Sequence, residues 1–96
     1  MRKLMDLAKL DERGVFIYFR TSELCRDFMR AAEAEGIAFG DGVLPMQRDV
    51  TNIFALHNNK TINYVGAYGH IAFGCGARVR VDYEKYRDGK DDYIIK

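Results

Sequence analysis

Cys75 and His70 are the pair whose types first suggest chemistry, a thiol nucleophile five residues from a base. No Asp or Asn stands at a spacing that would orient the imidazole, and Cys75 lies between Gly74 and Gly76, where a small apolar residue in a turn is equally at home. His57, His70, Cys75 and Asp49 are the whole pool for a metal site, and no CxxC, HxH or HExxH spacing joins them. Cys25 falls on the apolar side of a helical pattern and reads as an inert core thiol. The expectation is therefore no catalytic residue, no metal and no cofactor.

Residues 66–76 hold four glycines with aromatics between them. Backbone N–H groups of such a turn can cradle a phosphate, with Arg78 or Arg80 neutralising it. Gly66-Ala67-Tyr68-Gly69 has the bare form of a GXXG nucleotide clamp, without its Lys or Arg and without flanking helices. A dinucleotide fingerprint is absent, because Gly74-Cys75-Gly76 leads towards a strand and not a helix. Charge is segregated more clearly. Residues 50–81 contain no Asp or Glu but hold Lys60, Arg78, Arg80, His57 and His70. Tyr64, Tyr68, His70, Arg78 and Arg80 are the candidate partner-binding residues, since Tyr and Arg dominate contact hot spots. An acidic pole, Glu23, Asp27, Glu33 and Glu35 with Asp41 and Asp49, offers the opposite face.

These residues must be held by one small domain, residues 1–96. The chain is 48% apolar and 30% charged, an ordinary globular balance. A net charge of +1 is too weak a field for general nucleic-acid binding. No apolar run reaches the length of a membrane span, and the basic start meets Asp6 before any export-like stretch. Together with only two cysteines, this points to a reducing, cytoplasmic setting.

The periodicities predict a ragged helix over 2–12, a central strand over 15–19, and an amphipathic helix over 22–35 capped by Thr21 or Ser22 and closed at Gly36. A short strand over 37–39 follows, then a loop over 40–49 whose Val43, Leu44 and Met46 either tuck under the core or form a patch. A hairpin is predicted over 53–57 and 61–65, turns around a short element over 66–76, and a strand over 78–81. Asp82 can cap a helical turn through Arg87, and Tyr93-Ile94-Ile95 can dock on the sheet. The fold class expected is α+β: a small, mostly antiparallel sheet of three to five strands with one main helix, 22–35, on one face.

Ala32-Glu33-Ala34-Glu35-Gly36, Phe39-Gly40-Asp41-Gly42, Ala55-Leu56-His57, Thr61-Ile62-Asn63-Tyr64-Val65-Gly66, Gly69-His70 and Arg80-Val81-Asp82-Tyr83 occur in this order. The series resembles small uncharacterised proteins carried by phages and integrated elements of Gram-positive-type bacteria, over most of residues 15–93. The resemblance implies a context, since such single-domain, cofactor-free proteins are often inhibitors of host machinery, including anti-CRISPR and other anti-defence proteins. It brings no motif that assigns a catalytic residue. The expected function is thus a non-enzymatic inhibitor that blocks a host protein, such as a nucleic-acid-handling defence effector, by protein–protein contact. Direct nucleic-acid or membrane binding is not expected, and a homodimer stays open. The alternatives are a nucleotide-binding sponge built on residues 66–76, and a small enzyme built on Cys75 and His70.

Overall fold

In the computed structural model, residues 2–76 and 78–96 are described, with the backbone alone at 67, 68, 69 and 72. The chain runs α1 (Leu4–Ala8), β1 (Val15–Tyr18), α2 (Ser22–Ala34), β2 (Ala38–Phe39), a 3-10 turn (Pro45–Gln47), β3 (Ile53–Leu56), β4 (Thr61–Tyr64), α3 (Ala67–Cys75), β5 (Arg80–Asp82) and α4 (Tyr83–Arg87). The strands make one sheet in the order β2-β4-β3-β1-β5.

The class is α+β, as the sequence implies, but the sheet is mixed where a mostly antiparallel one was expected. β1 pairs antiparallel with β3, and β3 with β4, whereas β1–β5 and β2–β4 are parallel. β3 alone therefore runs against the other four strands. The two helical connections between parallel strands travel in opposite directions: β1 to β2 through α2, and β4 to β5 through α3. Such crossovers are almost always right-handed, which assigns the two helices to opposite faces.

Burial agrees with that assignment. On one face Val15, Ile17, Phe54, Leu56, Ile62 and Val81 pack with Leu24, Cys25, Phe28, Met29 and Ala32 of α2 and with Tyr83 and Tyr86 of α4. Phe28 is fully buried at its centre, with ring centroids 5.1 Å from Phe19, 5.8 Å from Phe54 and 5.5 Å from Tyr83. On the other face Phe16, Ile53 and Ala55 form a smaller cluster with Tyr18, Val65 and Phe73.

The local signals explain most boundaries. Thr21 accepts the Leu24 N–H at 3.2 Å and caps α2, and Gly36 follows the helix at φ +79°. Gly14 turns the chain into β1 at φ +97°, where a Cβ would come 2.7 Å from His57 Nδ1. The first helix is shorter than the 2–12 pattern suggests. In the 40–49 loop, Val43 and Met46 pack on the core while Leu44 is exposed. Asp82 caps α4 by accepting the Lys85 N–H. The C-terminal stretch docks on the sheet edge, Asp82 N–H donating to Tyr93 O and Ile95 N–H to Arg80 O.

The main departure is at 66–76. Four glycines argue for turns, yet residues 67–75 form the helix α3. A parallel crossover needs a long connection, usually helical, and that requirement overrides a helix cost of about 1 kcal/mol for each internal glycine.

Candidate contact face around the glycine-rich helix

Residues 61–77 contain no Asp, Glu, Lys or Arg. An uncharged helix that is apolar nearly all round belongs in an interior. Here α3 lies on the outside of the sheet, and Phe73 is its anchor. The Phe73 ring sits 6.1 Å from both Phe16 and Tyr18, on the sheet face away from α2. Arg80 holds the helix from the neighbouring strand. Its guanidinium lies over the Phe73 ring at 5.6 Å and donates from Nη1 to the Phe73 carbonyl at 3.1 Å. A cation on a C-terminal carbonyl also suits the helix dipole. Arg78 stacks over Phe16 at 5.5 Å. The Arg80 guanidinium passes close beside Gly76, which adopts φ +68°.

The outward side of α3 presents His70, Ile71, Gly74 and Cys75, all exposed. Ile71 is 62% exposed, the most of any large apolar residue among those described. An exposed isoleucine on an uncharged helix, bordered by two arginines and lacking nearby acids in sequence, has the composition of an interface centre with a polar rim.

The five candidate residues are not all brought together. His70, Arg78 and Arg80 share the α3 side of the sheet. Tyr64 does not. It pairs with Phe54 across the ladder, lies 5.2 Å from that ring and 5.3 Å from Phe39, and donates to the Asp49 carbonyl at 2.6 Å. Strand alternation puts it on the α2 face, and partial burial raises its hydroxyl pKa. The Tyr68 side chain is outside the described residues. The exposed Ile71 and the anchoring Phe73 are residues of this face that the candidate set did not include. Their signal was the long uncharged stretch.

The alternatives fare differently. A phosphate cradle in a glycine loop is replaced by a helix, so its interior N–H groups are engaged along the chain. Only the first turn keeps free N–H groups, while Arg80 contacts the opposite end of a helix about 13 Å long. His70 and Cys75 stand five residues apart on that helix, which turns them about 140° from each other. Among the described residues no three His, Cys, Asp or Glu side chains cluster for a metal. Cys25 is fully buried, and desolvation raises its thiol pKa.

The acidic pole is largely engaged within the fold. Glu35 accepts the Leu4 and Met5 N–H groups at 2.7 and 3.1 Å, and Glu33 accepts the Met46 N–H at 2.7 Å. Asp27 accepts the Tyr83 hydroxyl at 2.8 Å and stands 3.7 Å from Arg87. Asp41 pairs with Arg48. Carboxylates already holding backbone and guanidinium donors are poor phosphate mimics. No described helix is long and apolar enough to cross a membrane.

Comparison with protein-family models, with curated proteins and with solved structures finds no match to this chain.

Proposed function

We propose that this chain is a non-enzymatic binding protein that blocks a partner protein through the α3 face. One observation carries this reading: an uncharged helix is laid across the sheet with Ile71 62% exposed, inside a span, 50–81, that has no acid. The partner is a protein with an apolar patch rimmed by Asp or Glu. Ile71 enters the patch, and Arg78 and His70 face the rim. The sequence resemblance supplies the finer reading, a phage-type inhibitor of a host defence protein that handles nucleic acid.

Expression in bacteria that carry defined defence systems, scored by phage plaques, tests this. Plaque counts on one defended host rise with the native protein. They return to the defended level with Ile71→Glu, whose charge would stand at the interface centre. In purified form, Ile71→Glu weakens the matching effector at least about tenfold, as for a hot-spot residue. Inhibition that survives Ile71→Glu removes α3 from the contact. Absence of inhibition across the panel overturns the defence reading.

A further inference from the structure

On the opposite side of the sheet a groove of about 610 Å3 opens between α2, α4 and the residues that lead into α1. That size suits a small organic ligand. Its floor is carbon: Leu4, Ala31 and Ala34 with the rings of Tyr83 and Tyr86. Both tyrosine hydroxyls are engaged elsewhere, Tyr83 donating to Asp27 and Tyr86 to the Lys3 carbonyl at 2.6 Å. The floor therefore offers apolar contact and little else.

The rim is charged and unbalanced. Arg2, Lys3, Arg30 and Arg87 face Asp27 and Glu35. Both acids have partners inside the fold. Glu35 holds the amides that open α1, and Asp27 holds the Tyr83 hydroxyl and Arg87. Arg2 is fixed by the Gly89 and Lys90 carbonyls at 3.1 and 2.8 Å and stacks on Tyr86 and Tyr93. Arg30 is different. Its side chain is 60% exposed and reaches Asp27 only at 3.9 Å, too far for a hydrogen bond. Lys3 is exposed across the groove. Among the described residues neither the Arg30 nor the Lys3 side chain makes a hydrogen bond, so two cations flank an apolar floor with donor capacity to spare.

We infer that this groove binds a small amphipathic anion, with an aryl or alkyl body on Ala31, Ala34 and the tyrosine rings and one anionic head between Arg30 and Lys3. The head can be a carboxylate, sulfonate or phosphate, since each accepts from a guanidinium and an ammonium. The sheet separates this site from α3, so it is independent of the protein-contact reading.

Fluorescence titration with 1-anilinonaphthalene-8-sulfonate and with the uncharged N-phenyl-1-naphthylamine decides it. The two dyes share an apolar body and differ in the anionic head. The sulfonate dye binds one per chain, about fivefold tighter than the neutral one, the worth of a good exposed charge contact. Arg30→Gln removes that advantage and leaves neutral-dye binding unchanged. Ala34→Trp fills the groove from an exposed helix position and weakens both dyes at least about tenfold, with little change in melting temperature. Equal affinity of the two dyes, or no saturable binding, overturns the inference. A signal that survives Ala34→Trp and vanishes in Ile71→Glu also overturns it, because it places the apolar site on α3. Should Ala34→Trp disturb folding, the Arg30→Gln comparison decides alone, since that side chain is 60% exposed.

Discussion

The two faces of the sheet are covered by helices of opposite character. α2 is amphipathic, with its apolar side inserted among Phe19, Phe54 and Tyr83 and with Asp27, Glu33 and the capping Glu35 bonded to neighbouring segments. α3 is uncharged, is anchored among its described side chains by Phe73 with Arg80 over it, and leaves an isoleucine in water. The first arrangement holds the fold together. The second leaves apolar area at Ile71 still available to a partner. Asp27, Glu33 and Glu35 act inside the molecule, whereas the uncharged stretch after β4 leaves Ile71 exposed.

This contrast can be broken most sharply at the two anchoring rings. Phe28→Ala empties the α2 core and costs about 3–5 kcal/mol, read from urea unfolding. Phe73→Ala, on a partly buried ring, costs about 1–2 kcal/mol. Equal losses would make α3 as integral to the fold as α2.

A second difference lies in titration. Burial, aided by the bond to Asp27, pushes the Tyr83 hydroxyl pKa far above its ordinary value near 10. The neutral form is bound in the folded state, so this contribution is complete below the unfolded pKa. It is lost as pH rises through 10 towards the folded value. Urea midpoints fall between pH 8 and pH 11, and Tyr83→Phe flattens most of that fall. An unchanged slope would place the alkaline weakness elsewhere, Tyr64 and Tyr86 being the other hydroxyls raised by burial.

The smallest effect tests the internal role of the acids. Glu35→Gln weakens the anchoring of the first helix and costs about 1 kcal/mol. Hydrogen exchange then quickens at the Leu4 and Met5 amides and not in α3. Unaltered exchange there would return Glu35 to the solvent face and reopen the acidic pole as a contact surface.

Much of this was legible locally. The 3.6-residue pattern of Leu24, Cys25, Phe28, Met29 and Ala32, the Thr21 cap, the Asn58-Asn59 turn and the Asp82 cap each depend on neighbours a few residues away. Tyr64 was harder. Its type suggested a contact residue, but strand alternation and the pairing with Phe54 turn it to the other face from Arg78 and Arg80. That assignment needs the register, which spacing inside one strand does not fix.

The sequence alone determined the elements whose stabilising contacts are local: the main helix, its caps, the hairpin and the short C-terminal helix. Only the tertiary structure decided the strand order, the two parallel pairings and the helix at 67–75. Those depend on how far a connection must travel across the sheet and on which side right-handed crossovers place it. No window of glycines and aromatics encodes that distance, so residues that read as turns became a helix, and the helix took the one face that α2 had left open.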